Sequence, residues 1–229
     1  MSQNLLKRII TSIILLSLLF FINFSNEYVF IFSITILGAI ICIEANNLFS
    51  KLLDSKEVKK KTFFYKFNFK FLINKLITFF YVFFIFCNFS YEIYITKSPI
   101  FFLYIISICF FTDIGGYVFG KILGGKKLSE ISPNKTISGS FGSFILSITP
   151  LILIIYFDYL DLEFNLKNVV FCLILSLISQ LGDLFISFLK RKAKIKDTGK
   201  ILPGHGGFLD RVDGIIFAVP FSYFLLKLI

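Results

Sequence analysis

One stretch of the chain, residues 182–213, concentrates the side chains that can do chemistry. It contains four carboxylates, seven Lys or Arg and the chain's one histidine, in a sequence otherwise rich in apolar residues. Paired carboxylates suit Mg²⁺, which takes one or two protein carboxylates and completes its shell with phosphate oxygens and water. Lys and Arg bind the same phosphates through charge-assisted hydrogen bonds. The stretch therefore predicts a site for metal-assisted phosphate chemistry.

An apolar run over residues 168–189 predicts the helix that carries the first part of this set. Asp183, Ser187 and Lys190 stand at i, i+4 and i+7, which places them on one helical face. Arg191 follows one turn after Ser187. The helix end is therefore expected to present a carboxylate, a hydroxyl and two cations together. Alternatively, Asp183 and Ser187 form a buried polar pair satisfied by neighbouring helices.

A turn is predicted over residues 202–207, because proline lacks a backbone donor and glycine favours positive φ. Asp210 and Asp213 follow it, at the start of another apolar run. If the two helix ends meet, Asp183 faces Asp210, and these two carboxylates with Asp213 are the predicted ligands of Mg²⁺. A second cation is a further option. Asp213 has the alternative role of capping the final helix.

The residues of this stretch also match a known pattern in type and spacing. The matching positions are Ser187, Lys190, Arg191, Lys196, Asp197, Pro203, Gly204, His205, Gly206, Gly207, Asp210, Arg211 and Asp213. Together they resemble the signature of the phosphatidate cytidylyltransferases, also called CDP-diacylglycerol synthases.

The predicted roles combine the spacing with this resemblance. The predicted catalytic residues are Asp183, Ser187, Lys190, Arg191, His205, Asp210 and Arg211. Lys196 and Asp197 are predicted to contact substrate. A lone histidine is usually structural, but His205 stands between two glycines, so it is expected to orient a phosphate or the turn itself.

A second motif lies at the end of the fourth apolar span. Asp113 is charged and lies well inside an apolar run, which marks it as a functional candidate. The residues from Asp113 to Lys121 are similar to a second block of the same family, in which Ala is common at the position of Gly116. The resemblance implies substrate contacts for Asp113 and Lys121. Residues 120–127 also approach the P-loop pattern, but Lys127 stands where that motif needs Ser or Thr and a membrane span rather than a strand precedes it.

Residues 132–139 form a third motif. It resembles the family's Ser-Pro-x-Lys-Thr-x-x-Gly block and implies substrate contacts for Ser132, Lys135 and Thr136. Ser132 is also expected to cap a helix that begins at Pro133. The free N–H groups of that helix end, together with Lys135, would suit a phosphate. The two interpretations are compatible.

This third motif departs from the family at three positions. Asn134, Ile137 and Ser138 stand where Lys, Trp and Glu are usual. The chain therefore lacks the groups that those side chains supply in the family.

Composition predicts an all-α polytopic integral membrane protein. The 229 residues are 56% hydrophobic and their mean hydropathy is +0.83, far above an ordinary soluble domain. About seven transmembrane helices are predicted, at residues 9–24, 28–48, 71–89, 99–119, 139–157, 168–189 and 214–229. Several are shorter than the roughly 20 residues that a bilayer requires. Residues 1–229 are expected to form one membrane-embedded domain.

The net charge of +10 is distributed unevenly between the two ends of the predicted spans. If the amino terminus is cytoplasmic, the segments predicted inside are 1–8, 49–70, 120–138 and 190–213. Together with Lys75, these segments hold all 24 Lys and Arg except Lys97, Lys167 and Lys227. The positive-inside rule then places the three motifs on the cytoplasmic side, in a bacterial inner membrane.

Residues 51–70 interleave Lys with Phe and Tyr. Such a pattern could stack single-stranded nucleic acid. Between two membrane spans it is more typical of a segment on an anionic membrane surface. The surface interpretation is favoured, and no nucleic-acid partner is expected.

The predicted spans contain one further carboxylate and four thiols of interest. Glu44 lies near the cytoplasmic end of the second span, where it is expected to reach interfacial water or to be a structural partner for an active-site cation. The cysteines show no C-x-x-C pair, so they are expected to be packing residues. They are Cys42, Cys87, Cys109 and Cys172.

The resemblance implies a reaction, in which CTP and phosphatidic acid give CDP-diacylglycerol and pyrophosphate, with Mg²⁺ as the cofactor and membrane lipids as surroundings. It also implies a homodimer. A membrane CTP-dependent polyprenol kinase is an alternative with similar phosphate chemistry. An anionic-solute transporter is a third, which the clustering of the motifs at one face disfavours, because transporter sites tend to lie near the bilayer midplane.

Overall fold

A computed structural model describes residues 3–56, 64–129, 132 and 135–228. In this part of the chain the secondary structure is helical, apart from isolated bridges at Lys127–Thr136 and Leu202–Gly206. The elements are α1 (Gln3–Phe24), α2 (Glu27–Lys56), α3 (Phe64–Phe80), a π-helical segment (Tyr81–Cys87), α4 (Asn88–Thr96), α5 (Pro99–Leu123), α6 (Ile137–Leu146), α7 (Thr149–Tyr156), α8 (Leu166–Lys192), α9 (Leu209–Val212) and α10 (Ile215–Leu228). The predicted all-α class is confirmed for the described residues.

Six helical segments are long and apolar enough to cross a membrane among the residues described. They are Leu6–Phe24, Glu27–Leu53, Phe71–Thr96, Pro99–Leu123, Ile137–Tyr156 and Leu166–Lys192. Each contains or closely overlaps a predicted span. The predicted seventh span is the 14-residue helix α10, which contains Pro220. At 1.5 Å per residue it extends about 21 Å, less than the roughly 30 Å of a bilayer's hydrocarbon core.

Two compact units divide the chain. The first contains Met1–Tyr91 and Leu189–Val212, and the second contains Glu92–Phe188 and Asp213–Ile229. Helix α8 runs through the boundary, so that the signature stretch contributes residues to both units.

In the first unit, α2 packs against α3 and the π-helical segment. A Cβ atom at Gly38 would lie only 2.7 Å from Cys87 Sγ, so a larger residue there would force this side chain to shift. The thiol of Cys87 donates to the Ile34 carbonyl at 3.5 Å. All four cysteines are buried and free, which confirms their predicted packing role.

The far end of α2 packs against the chain that follows α8 in the same unit. Leu48 and Leu52 form a buried cluster with Ala193. This apolar contact fixes the end of α2 against the chain that follows α8. Glu44 lies one helical turn before Leu48 and is therefore fixed there as well.

In the second unit, α5 and α6 pack with their backbones in contact. A Cβ atom at Gly115 would lie 2.4 Å from the Gly142 carbonyl oxygen, and one at Gly139 would lie 2.6 Å from the Gly116 carbonyl oxygen. Small residues allow such approach between helices, as in membrane helix pairs. The glycines of the second and third motifs therefore bring those two motifs together.

Candidate active site

A cavity of about 250 Å³ lies within the second unit, and all three sequence motifs contribute to it. Its lining residues are Thr112, Asp113, Gly116, Tyr117, Leu128, Lys135, Thr136, Gly139, Ser140, Ser143, Gln180 and Asp183. The wall thus combines two carboxylates, one ammonium group and several hydroxyls. The ammonium group and the hydroxyls can donate to phosphate oxygens, and the two carboxylates can hold a cation.

Asp183 projects from α8 into this cavity. Its Oδ1 accepts a hydrogen bond from the Ser187 hydroxyl at 3.2 Å, as the predicted i, i+4 spacing requires. Its Oδ2 forms an ion pair with Lys135, in which the two side chains are 25% and 31% exposed, respectively. The carboxylate is therefore oriented by two donors while it stays open to the cavity.

Residues 126–128 pair in antiparallel fashion with residues 135–137, just before and at the start of α6, and this pairing positions Lys135. The Leu128 N–H donates to the Lys135 carbonyl at 2.7 Å, and the Ile137 N–H donates to the Lys126 carbonyl at 3.0 Å. The pairing fixes the backbone of Lys135 immediately before the helix begins.

The predicted cap of this helix is wrong. Ser132 lies in the loop, where its carbonyl accepts from the Lys135 N–H at 3.1 Å. Thr136 is the N-cap, because α6 begins at Ile137 and the Thr136 hydroxyl accepts from the Gly139 N–H at 3.1 Å. Pro133, the predicted first helical residue, and the departing Asn134 lie outside the described residues.

Asp113 reaches the same cavity from α5, next to the buried Thr112. The lining also includes Ser140, whose hydroxyl donates to Gln180 Oε1 at 2.6 Å. The Gln180 amide in turn donates to the Ser176 hydroxyl at 3.3 Å. Sequence reasoning identified Asp113 as a functional candidate but did not identify Ser140 and Gln180 as site residues, because neither differs in type from an ordinary polar helix contact.

Lys121 and Ser132, the predicted substrate contacts of the second and third motifs that remain, lie outside the cavity lining. Lys121 is exposed, and its Nζ lies 3.4 Å from the hydroxyl of Tyr117, one turn earlier on α5. Ser132 is also not part of the lining. Residues 120–123 continue α5, and Gly124, with φ of 60°, ends it, so this segment is a helix terminus.

Asp213 begins the carboxyl-terminal part of the second unit. Its Oδ1 accepts from the Gly214 N–H at 2.9 Å. The Asp213 carbonyl oxygen lies against Gly182, where a Cβ atom would be 2.9 Å away. Gly182 thereby lets the chain before α10 approach α8 next to Asp183.

Asp210 lies in the first unit and is nearly buried, with 5% of its side chain exposed. Its Oδ1 accepts from Lys190 Nζ at 2.8 Å. Its Oδ2 accepts from the Thr198 N–H at 2.8 Å and from the Gly207 N–H at 3.0 Å. Asp210 also stands in the first turn of α9, where the helix dipole favours a negative charge.

Burial raises the pKa of Asp210, but the hydrogen bonds from Lys190 and the Thr198 N–H, the positive charge of Lys190 and the Gly207 N–H outweigh it. The pKa of Asp210 is therefore lowered, and the group is ionised near neutral pH. The Lys190–Asp210 pair is a fixed charge pair at the start of α9.

Glu44 contradicts both of its sequence interpretations. It is 2% exposed, so it does not reach interfacial water. The ion pairs Lys135–Asp183 and Lys190–Asp210 do not include it. Its carboxylate instead accepts from the Phe208 N–H at 3.0 Å, the Leu209 N–H at 2.8 Å and the Thr198 hydroxyl at 3.0 Å. The sequence signal was the charge inside an apolar span, but its partners are distant in sequence.

His205 lies at the tip of the turn and contacts α1. Its Nδ1 is 2.6 Å from the Thr11 hydroxyl and its Nε2 is 3.4 Å from the Ser12 hydroxyl. Arg211 donates to the His205 carbonyl at 2.8 Å, and Arg8 donates to the Gly204 carbonyl at 3.0 Å.

These contacts favour a neutral imidazole. Burial lowers the pKa of His205, and the charges of Arg211 and Arg8 lower it further, against a smaller opposing effect of the Pro203 backbone. An ordering role for His205 in the turn agrees with one of its two predicted roles.

The remaining predicted site residues of the signature are exposed to solvent. Arg191 and Lys196 are exposed. Asp197 is exposed as well, and its carboxyl group packs beside Gly206, whose φ of 87° favours glycine. The predicted catalytic role of Arg191 and the predicted substrate contacts of Lys196 and Asp197 stay predictions.

The donor set in the cavity fits a magnesium ion only in part. No group of three His, Cys, Asp or Glu forms a metal site among the residues that the structure describes. Mg²⁺ requires no such group, since it is commonly held by one or two carboxylates together with substrate phosphates. Asp183 and Asp113 provide two carboxylates in one cavity. Asp210 belongs to the other unit, so its predicted pairing with Asp183 stays a prediction.

The fold and the cavity define a helical protein in which carboxylates, an ammonium group and hydroxyls line a cavity. Several of its helices are apolar and long enough to span a membrane. A model of the cytidylyltransferase family matches residues 58–229. The chain belongs to this family.

Curated relatives are similar over part of their length. Phosphatidate cytidylyltransferase of Staphylococcus aureus (strain COL) is 48% identical over 126 residues, which is 54% of this chain and 48% of the relative. The Bacillus subtilis (strain 168) protein of the same name is 46% identical over 118 residues, 51% of this chain and 44% of the relative. The Staphylococcus haemolyticus (strain JCSC1435) protein is 45% identical over 126 residues, with coverage of 54% and 48%. The chain spans about half the length of the curated relatives it matches.

Proposed function

We propose that this protein is a phosphatidate cytidylyltransferase, which converts CTP and phosphatidic acid to CDP-diacylglycerol and pyrophosphate. The observation that carries the proposal is the cavity in which Asp113, Lys135 and Asp183, one residue from each motif, meet. The similarity to proteins named phosphatidate cytidylyltransferase supports the same reaction.

The reaction joins two anions. A phosphate oxygen of phosphatidic acid attacks the α-phosphorus of CTP, a new P–O bond forms, and the bond to the β-phosphate breaks as pyrophosphate leaves. The attacking phosphate is already ionised near neutral pH, so no strong base is needed. The difficulty is to align the reactants against their charge repulsion.

The chain's cations address that repulsion. Lys135 is partly exposed in the cavity and is held in place by Asp183, so it can contact a phosphate oxygen without a large rearrangement. Ser187 and the cavity hydroxyls provide further hydrogen bonds. At about 250 Å³ the cavity is below the roughly 300–1,000 Å³ of typical ligand pockets, so we assign it to the phosphate groups.

Asp183 and Asp113 are the residues that would hold Mg²⁺ in this cavity, and Asp210 and Asp213 are additional candidates. The bound ion would neutralise phosphate charge and stabilise the pyrophosphate leaving group. Lys135, paired with Asp183 in the same cavity, would contact a phosphate oxygen beside that ion.

The same proposal includes the location. Six apolar helices of sufficient length support insertion in a membrane. The distribution of Lys and Arg supports motif loops on the cytoplasmic side of a bacterial inner membrane. There the site would meet a soluble nucleotide and a lipid head group together. We include the homodimer that the family resemblance implies as a further expectation.

The test is pyrophosphate release by the purified protein in detergent with CTP and Mg²⁺, with and without phosphatidic acid. Release that requires the lipid and stops with EDTA supports the proposal. Release of CDP with a polyprenol would indicate the kinase instead. A folded protein that does neither would contradict both enzymes and leave the transporter.

A further inference from the structure

Glu44 lies outside the segment that the family model matches, yet its carboxylate accepts hydrogen bonds from the signature residues Phe208 and Leu209. The match begins at residue 58. Glu44 projects from α2, and its two oxygens accept hydrogen bonds from the last residue before α9 and the first residue of α9. Oε1 accepts from the Phe208 N–H, and Oε2 accepts from the Leu209 N–H.

These two donors come from the residues immediately before Asp210. Their N–H groups belong to the start of α9, where backbone donors lack partners within the helix. Glu44 supplies those partners from another helix. The position of the first turn of α9 is therefore tied to α2, and the carboxylate of Asp210 lies in that turn.

A second connection runs through a hydroxyl group. The Thr198 Oγ1 is 3.0 Å from Glu44 Oε2 and 3.1 Å from Asp210 Oδ2. The Thr198 N–H also donates to Asp210. Glu44 and Asp210 thus hold the same residue from two sides.

The loop residues Gly199 and Gly207 pack directly against the Glu44 carboxylate. A Cβ atom at Gly199 would lie 2.2 Å from Glu44 Oε1. One at Gly207 would lie 2.6 Å from Glu44 Oε2 and 2.2 Å from Thr198 Oγ1. Glycine at both positions lets the loop close directly on the carboxylate.

We propose that Glu44 is a positioning residue for cytidylyl transfer: it locks the loop from Thr198 to Leu209 so that Asp210 and its partner Lys190 are presented in one geometry. This inference rests on the proposed function for its chemical meaning. Glu44 is buried, so it acts through Asp210 and does not contact substrate.

The variant that tests it is Glu44→Gln. A glutamine has the same shape, but its NH₂ must face either the Phe208 N–H or the Leu209 N–H, which places two donors against each other. We expect kcat per folded molecule to fall roughly 100-fold, as a small misplacement of a reacting group can cause. The KM for CTP should stay within about threefold, because misplacement of Asp210 acts on the transition state more than on ground-state binding. Glu27→Gln, at an exposed position of the same helix, is the matched control.

A double-variant comparison separates positioning from general damage. Gly199→Ala alone should displace the Glu44 carboxylate and reduce kcat to a similar degree. In the Glu44→Ala background, Gly199→Ala should reduce kcat little further, because the carboxylate with which the new methyl group would clash is absent. Additive losses, or a wild-type kcat in Glu44→Gln, would overturn the proposal.

A readout that does not depend on activity separates this inference from the proposed function. The loop after α8 carries the exposed Lys194, Lys196 and Lys200. Trypsin should cleave there faster in Glu44→Gln than in the wild type and in Glu27→Gln. If the wild type forms no CDP-diacylglycerol but cleavage still accelerates, the proposed function fails while the locking of the loop stands. Equal cleavage in all three proteins would overturn the locking itself.

Discussion

The ammonium group of Lys135 forms an ion pair with the carboxylate of Asp183, 48 residues further along the chain. Each residue belongs to a different motif, and the pair lies in a cavity that Asp113 from another motif also lines. A partly exposed ion pair contributes little stability, because water screens the attraction between its partners. Under the proposed function, Lys135 contacts a phosphate and Asp183 holds the cation.

Replacing either partner of this pair should abolish most of the proposed activity. Asp183→Asn and Lys135→Met remove charges that act on the phosphates, and loss of one such preorganised group typically costs roughly 100- to 1,000-fold in kcat. The measurement is lipid-dependent pyrophosphate release, with size-exclusion profiles to verify folding. Lys126→Met is the control, since its side chain is exposed and outside the cavity lining. Retained turnover of Asp183→Asn at high Mg²⁺ would contradict the assigned metal role.

The Lys190–Asp210 pair should contribute stability that depends on pH. The pKa of Asp210 is lowered in the folded protein, so its contribution is fully present above the unfolded value of about 3.9 and is lost as the pH falls through the folded value. Asp210→Asn should cost roughly 3–5 kcal/mol at pH 7, since it leaves Lys190 unpaired in a largely buried site. Thermal unfolding of both proteins in detergent measures the difference, which should narrow below about pH 4.

The control for that experiment is Asp161→Asn, in an exposed loop. It should leave the unfolding temperature unchanged at every pH. A wild-type advantage over Asp210→Asn that persists undiminished at the lowest pH would show that the ion pair is not its source.

His205 should titrate below the ordinary histidine pKa of about 6.5, because burial and the charges of Arg211 and Arg8 oppose its protonation. The folded state is therefore favoured above that pH and loses stability as the pH falls below it, where the unfolded chain takes up the proton first. Since the chain has one histidine, a histidine-labelled sample gives a single imidazole NMR titration.

Substitution of a nearby arginine should raise the midpoint of the His205 titration, whereas substitution of a distant one should not change it. Arg8→Gln removes one of the opposing charges and should raise the midpoint toward 6.5. Arg191→Gln removes an exposed charge that does not act on His205 and should leave it unchanged. A wild-type midpoint at or above 6.5 would contradict the arrangement of the turn.

Local periodicity was sufficient for much of the fold and part of the site. The helix over α8 and the contact of Ser187 with Asp183 follow from spacing alone, because i, i+4 neighbours share a helical face. The six longer apolar runs were found for the same reason. Contacts within one helix are encoded within one stretch of sequence.

Contacts between distant segments were not accessible in this way. Glu44 was recognised as unusual, but its partners at Thr198, Phe208 and Leu209 are mostly backbone N–H groups, which carry no sequence signature. The start of α6 was misplaced because Ser132 and Thr136 are both good N-caps, and the pairing of residues 126–128 with 135–137 decides between them.

The close packing of α5 on α6 gives a last prediction, which distinguishes two adjacent glycines. A Cβ atom at Gly115 would lie 2.4 Å from the backbone oxygen of Gly142, which cannot move without separating the helices. At Gly116 it would lie 2.9 Å from the Ser143 hydroxyl, a side chain that can rotate. Gly115→Ala should therefore destabilise the protein by roughly 1–3 kcal/mol, as overpacking does, and should displace Asp113 from the cavity. Gly116→Ala should leave the unfolding temperature closer to wild type. Equal effects of the two substitutions in thermal unfolding would mean that the helices are not in backbone contact at Gly115.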